Sequence, residues 1–397
     1  MRGVLVVNTG SSSIKFGLYR LDGAAQPAPV VRGNLSGLPE TLHIGLNPAS
    51  NALQGRLTAA LAGTAHDTQS IITALCVSIA QSHSDLPIAI VGHRIVHGGL
   101  DFHGPALATP EAIEKLEALI PFAPSHQPHN LVGHAAIAAL WPDMPQSFSF
   151  DTAFHADMPR ESRLYAIPRD LIDKGLVRYG FHGLSYAYIA SVLPDILGDR
   201  PHARTIVAHL GSGGSLCALS NGRSVATTMG LTALAGIPMA TRSGDIDPGL
   251  VLHLIENESL SPAEVSALLY QRSGLLGLSG ETGDMRALLA SHSDQSREAL
   301  AVYAHRIARE IGALATDMGG VDAVVFTGGV GEHAAPVRAD ICRRIQWLGA
   351  TLDPGANARD AIIFSSPGSR LALAAIPTDE ELVIAREAAE VLEGSGG

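Results

Sequence analysis

Val7-Asn8-Thr9-Gly10-Ser11-Ser12-Ser13-Ile14-Lys15-Phe16-Gly17-Leu18 can be laid over Ala208-His209-Leu210-Gly211-Ser212-Gly213-Gly214-Ser215-Leu216-Cys217-Ala218-Leu219 at an offset of 201 residues. Each stretch reads as an apolar strand, a tight Gly/Ser turn and a second strand. The offset is about half the chain, so the pair predicts two duplicated domains, each opening with a hairpin. Glycine lets the backbone approach a ligand closely, and successive N–H groups in such a turn form an anion nest suited to phosphate oxygens. One copy alone would read as an ordinary hairpin; two at this spacing favour the phosphate reading.

Outward from the hairpins, strand-like and helix-like runs alternate, and the class reads as α/β. Val4 to Val7 is a short apolar run that fits a buried strand. Ile14 to Leu18 alternates with period two, as do Phe148 and Phe150 around Ser149. Ser261-Pro262-Ala263-Glu264 supplies an N-cap, a proline at N1 and a glutamate at N3, so a helix should begin there. Leu300, Tyr303, Ile307, Ile311, Leu314 and Met318 recur at helical spacing and predict a core-facing stripe. The tail Gly394-Ser395-Gly396-Gly397 reads as a frayed end.

The chain has 397 residues, 46% hydrophobic and 16% charged, which rules out an intrinsically disordered class. Its 27 Lys and Arg against 38 Asp and Glu give a net charge of −11. That balance excludes a general nucleic-acid binder, which needs a basic footprint. It leaves room for anionic small substrates, because a few local cations dominate within a cleft once distant charges are screened. The cysteines, Cys76, Cys217 and Cys342, form no C-x-x-C pair and suit a reducing cytosol. No apolar run reaches the ~18 residues of a membrane helix, and the first residues are too short for a signal sequence. The expectation is a soluble cytoplasmic protein.

No G-x-x-x-x-G-K-[ST] occurs, so this is not a P-loop enzyme, and no dinucleotide fingerprint follows the first strand. A third Gly-rich turn, Phe326-Thr327-Gly328-Gly329-Val330-Gly331-Glu332, follows the apolar run Ala323-Val324-Val325. Its glycines permit flat approach by a nucleotide. His93, His97 and His103 suggest zinc, but Gly98 and Gly99 interrupt the segment and no ligand set of zinc spacing appears.

The N-terminal run Val6 to Lys15 and Gly92-His93-Arg94-Ile95-Val96-His97-Gly98-Gly99 are specific motifs. With Pro124-Ser125-His126-Gln127-Pro128-His129-Asn130, Phe150-Asp151-Thr152-Ala153-Phe154-His155 and Tyr179-Gly180-Phe181-His182-Gly183 they continue in order along the chain. His209 to Gly213, Thr241-Arg242-Ser243-Gly244-Asp245-Ile246-Asp247-Pro248, Phe326 to His333 and Pro377-Thr378-Asp379-Glu380-Glu381 complete the series. On these residues the chain resembles the acetate kinases, the acetokinase family of the actin, sugar-kinase and heat-shock-chaperone fold superfamily, from Val4 to about Glu390.

The resemblance implies two duplicated actin-like, ribonuclease H-like domains with an active-site cleft between them. The first would span 1–150, completed by a C-terminal helix over about 380–397; the second, nucleotide-binding domain would span 151–380. It implies reversible transfer of the ATP γ-phosphoryl group to acetate, giving acetyl phosphate and ADP, with Mg²⁺ (or Mn²⁺) and a homodimer that engages neither nucleic acid nor membrane. Acetate is already ionised at pH 7, so no strong general base is required, unlike in sugar kinases.

By the same resemblance Arg94 holds the acetate carboxylate, and Arg242 and His182 stabilise the transition state. Asp151 is the essential acidic residue, expected to orient an arginine or the metal's water rather than to take a proton. Val96, Ser125, His126, Phe181 and Ala233 match the acetate pocket. Asn8 and Glu380 match the magnesium positions. Lys15, His209, Leu210, Gly211, Ser212, Gly213, Asp284, Met285, Arg286, Gly329, Val330, Gly331, Glu332 and His333 match the nucleotide segments.

Four positions depart from the commonest family pattern. Ser212 and His333 stand where asparagine is usual; Ser125 and Ala233 replace a leucine and a proline in the acyl pocket. The nearer alternative reading is a propionate or butyrate kinase with the same chemistry. The more distant one is an ATPase of binding or chaperone type, which would not need Arg94 and Arg242 in their family context.

Overall fold

The computed structural model describes residues 2–10, 13–21, 26–37, 43–62, 67–124 and 126–394. Ser11, Ser12, Ser125 and Ser395 to Gly397 lie outside the described residues. The chain divides into two compact units, Met1–Phe154 with Asp379–Gly397, and His155–Thr378.

The first unit carries a seven-stranded sheet, ordered β4-β3-β2-β1-β5-β7-β6. Its strands are β1 (Arg2–Thr9), β2 (Ser13–Leu21), β3 (Ala28–Ser36), β4 (His43–Asn47), β5 (Ile88–Ile95), β6 (Ala106–Leu107) and β7 (Gln146–Phe150). The second unit has a five-stranded sheet, ordered β10-β9-β8-β11-β12: β8 (Arg204–Leu210), β9 (Gly214–Ser220), β10 (Arg223–Thr227), β11 (Ala323–Thr327) and β12 (Ala372–Ala375). Both sheets share one plan. An antiparallel hairpin and a third antiparallel strand lie on one side of the first strand, and two parallel strands on the other. The α/β class and the duplication expected from the hairpins are thus present in the fold.

The overlay of the two hairpins holds for the first strand and slips by one residue in the second. Thr9 pairs with Ile14, whereas Leu210 pairs with Gly214. Gly10 N–H closes the first turn on Ser13 O at 2.9 Å, and Gly211 N–H closes the second on Gly213 O at 2.8 Å. The second turn is one residue shorter, so Lys15, opposite Asn8, corresponds to Ser215, opposite His209.

Alternation in β2 and β7 does not give a solvent face. From Phe16 to Tyr19, and throughout Gln146–Phe150, every residue is buried. The reason is that helices cover the sheet on both faces. Leu5, Val7, Val91, Ile137 and the helices Asn51–Leu61, Thr68–Ser82 and Gln127–Leu140 form one core. The helix Glu380–Gly394 packs on the other face of β1, β5 and β7. Gly92 permits that approach: a Cβ there would lie 2.8 Å from Ile384 Cγ2.

In the second unit the helix Asp294–Asp317 buries Tyr303, Ile307, Ile311 and Leu314 in a core with Ile206, Leu216, Val324 and Phe326. Leu300 and Met318 close its edges. The capping box at Ser261 forms as read, with Glu264 N–H on Ser261 Oγ and Ser261 N–H on Glu264 Oε2. No helix among the described residues is long and apolar enough to cross a membrane.

Candidate active site

In the first unit β5 and β7 run parallel and end together, a place where α/β sheets gather functional side chains. Arg94 lies opposite Ser149, and Asp151 N–H bonds Ile95 O at 3.0 Å just past the strand ends. The two side chains therefore meet. Arg94 Nε donates to Asp151 Oδ1 at 2.9 Å and Nη2 to Oδ2 at 2.8 Å, a bidentate fork. Nη1 donates to Glu380 Oε2 at 2.9 Å, from the first residue of the C-terminal helix. Burial works against the arginine's charge, but the carboxylates of Asp151 and Glu380 overcome it and hold the guanidinium protonated. Asp151, with only 2% of its side chain exposed, thus orients an arginine in this structure.

Asn8, on β1, is buried, and its Nδ2 donates to Glu381 Oε1 at 3.3 Å. Asp379 accepts from Leu382 N–H and pairs with Arg32 at 2.7 Å. The segment Asp379-Glu380-Glu381 thus sets three consecutive carboxylates at the head of this helix. Lys15 is exposed on β2. Val96 is buried, His126 precedes the helix Gln127–Leu140, and Ser125 lies outside the described residues.

Two residues of that helix, quoted in a motif but given no role from sequence, hold the Arg94 loop. Asn130 Oδ1 accepts Val96 N–H at 3.0 Å while its Nδ2 donates to Thr9 O at 2.8 Å. Gln127 accepts His97 N–H at 3.2 Å and donates to His97 O at 3.0 Å. Their spacing of three residues puts both on one helix face, a signal that sequence carried but could not aim.

His93, His97 and His103 each have other partners. Burial pushes His93 down to about 3, and its Nε2 sits 2.8 Å from Gln146 Oε1. Among the described residues no group of three or more His, Cys, Asp or Glu is arranged to hold a metal ion.

In the second unit His182 caps the helix Gly183–Leu197 in left-handed backbone, φ 58° and ψ 23°. A non-glycine residue there is held by its surroundings. Its ring stacks on His209 at 4.3 Å, and its Nδ1 lies 2.8 Å from Ser215 Oγ. Arg242 Nη1 donates to Ala233 O at 2.9 Å and approaches Met239 Sδ at 3.7 Å. Among the described residues it pairs with no carboxylate, and burial lowers its pKa from the ordinary arginine value. A Cβ on Gly213 would lie 3.6 Å from His182 Nε2 and 3.8 Å from Arg242 Nη1, so both side chains converge on this glycine. Phe181 is buried, and its carbonyl meets His155 Nε2 at 3.0 Å.

A cavity of about 850 Å³ gathers Gly211, Ser212, Asp284, Met285, Arg286, Gly329, Val330 and His333 beside Thr241, Leu275 and Leu289. These include eight of the residues assigned to the nucleotide, drawn from three distant segments. Leu210 lies in the hydrophobic core, Gly331 is buried, and Glu332 Oε1 accepts Gly328 N–H at 2.9 Å, fixing the turn. Arg338, wholly buried, clamps the same turn from behind by donating to Gly331 O at 2.9 Å and Glu332 O at 2.7 Å. Nothing in the sequence motifs pointed to Arg338.

The profile of the Acetokinase family matches residues 3–386. An acetate kinase of Rhodopseudomonas palustris is 46% identical over 400 residues, covering 98% of each chain. Among solved structures, a propionate kinase from Francisella tularensis superposes with a TM-score of 0.86 at 33% identity, covering 98% of this chain and 100% of that one. An acetate kinase from Porphyromonas gingivalis gives 0.83 at 34%, covering 99% and 100%. A family profile spanning nearly the whole sequence, with full-length relatives of this similarity, means that the chain belongs to the acetokinase family.

Proposed function

We propose that the chain transfers the γ-phosphoryl group of ATP to acetate, reversibly, giving acetyl phosphate and ADP. The observation that carries this reading is the convergence of His182 Nε2 and Arg242 Nη1 on Gly213, at the turn whose neighbours Gly211 and Ser212 line the 850 Å³ cavity. Phosphoryl transfer asks little covalent chemistry of a protein. It asks for positioning and for preorganised charge where negative charge spreads. Arg242 suits this because no carboxylate among the described residues neutralises it. The nucleotide is assigned to the cavity, with Asp284, Met285, Arg286, Gly329, Val330 and His333 as its walls.

The acid is assigned to Arg94, with Val96 and His126 beside it. No residue need accept a proton, because the carboxylate is ionised at pH 7. Asp151 then holds Arg94 in register rather than acting as a base. Asn8 and Glu380 offer an amide and a carboxylate oxygen, the hard donors that Mg²⁺ takes alongside several waters. They would hold Mg²⁺, or Mn²⁺ in its place, which supplies positive charge to the phosphate oxygens when bound.

Propionate is the second acceptor, supported by Ala233 in the position where the family commonly has proline and by the similarity to a propionate kinase. A homodimer is supported by the helix Pro248–Glu256, which buries none of its residues although it carries Leu250 at 45% and Leu252 at 57% exposure. A cytoplasmic setting is supported by three cysteines that are all free and buried. The test is hydroxylamine trapping of acyl phosphate from Mg-ATP with acids of two to four carbons. Formation with acetate is expected; ATP hydrolysis independent of any acid would overturn the reading.

A further inference from the structure

His182 is not held by one bond but by a closed lattice of four side chains. His209 and Ser215 are directly opposite each other on β8 and β9, so their side chains share a face of the sheet. The helix Gly183–Leu197 lies over that face. From it Ser185 Oγ meets His209 Nδ1 at 2.8 Å, and Tyr186 OH meets Ser215 Oγ at 2.5 Å. His182, at the head of the same helix, closes the lattice by stacking on His209 and meeting Ser215 at Nδ1. Ser215 and Tyr186 are both fully buried; Ser215 was quoted only as part of the second hairpin, with no role, and Tyr186 in no motif.

The protons in this chain have a preferred direction. A phenol is the stronger donor of a phenol–alcohol pair, since its pKa of about 10 lies well below that of an aliphatic hydroxyl. Burial pushes the Tyr186 phenol higher still above its ordinary value, so it keeps its proton to donate. With Tyr186 donating to Ser215 Oγ, the serine's single proton is directed at His182 Nδ1. A ring nitrogen that accepts leaves the proton of a neutral imidazole on the other nitrogen.

We propose that Tyr186 and Ser215 are positioning residues that fix His182 as the Nε2–H tautomer, so that a hydrogen-bond donor faces Gly213 beside Arg242. The role of that donor rests on the reading that the transferred phosphoryl group passes Gly213. The tautomer itself does not.

Nitrogen-15 spectra of the full-length protein labelled at histidine test the two separately, the His182 signals being identified by their loss in His182→Gln. Wild type should show Nδ1 unprotonated and Nε2 protonated. Tyr186→Phe and Ser215→Ala should each give a mixture of tautomers and a kcat lowered about tenfold to a hundredfold, the usual effect of removing an outer partner of a functional histidine. KM for ATP and for acetate should stay within about twofold. A protonated Nδ1 in wild type would overturn the proposal even if both variants failed to fold. So would variants that keep the wild-type tautomer. A shifted tautomer with unchanged kcat would uphold the positioning and remove His182 from the phosphoryl path.

Discussion

Arg94 and Asp151, 57 residues apart in sequence, are locked in a two-bond fork at 2.9 and 2.8 Å at the ends of adjacent parallel strands. Glu380 takes a third of the five donors that a guanidinium offers. An amide at 151 accepts at only one atom and brings no charge. Asp151→Asn should lower kcat about 10²- to 10³-fold, the usual cost of disturbing one preorganised contact. A kcat within threefold of wild type in the hydroxamate assay would show that the fork is dispensable.

The same cluster constrains how an anion can bind. With both carboxylates ionised, Arg94, Asp151 and Glu380 sum to 1 − 2 = −1. A like charge a few ångströms away costs on the order of 1–4 kcal/mol. Acetate affinity, measured by calorimetry, should therefore weaken tenfold or more when Mg²⁺ is chelated. Glu380→Gln should bind acetate without Mg²⁺ better than wild type does. Equal affinities in all three would remove the charge argument.

Gly213→Ala separates the reaction from the fold. Its Cβ would meet His182 Nε2 at 3.6 Å and Arg242 Nη1 at 3.8 Å, ordinary contacts that require nothing to shift. It would occupy the space in front of both donors. The melting temperature should stay within about 2 °C, which for a chain of this size is under about 2 kcal/mol. Acyl phosphate formation should fall at least a hundredfold. Gly274→Ala is the contrast: at φ 62°, with Met239 O only 2.2 Å from its Cβ position, it should fail to fold stably.

Glu387 sets a pH dependence of stability. Burial, aided by the charges of Glu390 and Asp151, pushes its carboxyl up to about 7 from 4.5, and its Oε2 is buried without a hydrogen-bond partner among the described residues. The folded state then binds the proton more tightly than the unfolded chain. Stability is favoured at low pH and lost as pH rises from about 4.5 through about 7, by roughly 3 kcal/mol in all. Glu387→Gln should raise the melting temperature at pH 8 and flatten its slope between pH 5 and 8. A slope identical to wild type would assign the dependence elsewhere.

Acyl-chain preference should follow the space at Ala233. One added methylene buried there contributes about 0.8 kcal/mol. Propionate should be used with kcat/KM within about tenfold of acetate. Ala233 N–H makes no backbone hydrogen bond among those found and its carbonyl serves Arg242, so Ala233→Pro keeps that contact. It should shift preference toward acetate. Rejection of propionate a hundredfold by wild type would mean that other side chains close the pocket.

The local signals were legible because they depend on few residues. The Gly/Ser turns, the capping box at Ser261 and the helical stripe of Tyr303, Ile307, Ile311 and Leu314 are dictated by backbone freedom and periodicity within one element. The family motifs likewise named Arg94, Asp151, His182 and Arg242. Burial of β2 and β7 was not legible, because alternation reports only what one face needs, and a helix 230 residues beyond β7 covers the other. Nor was the one-residue slip between the hairpins, since register depends on turn length. Only the tertiary structure decided which side chains meet. Strand order brings Asp151 to Arg94, the C-terminal helix brings Glu380 to it, and the pairing of His209 with Ser215 under Tyr186 builds the support of His182. Such contacts join elements far apart in sequence, and their geometry is a property of how the elements pack.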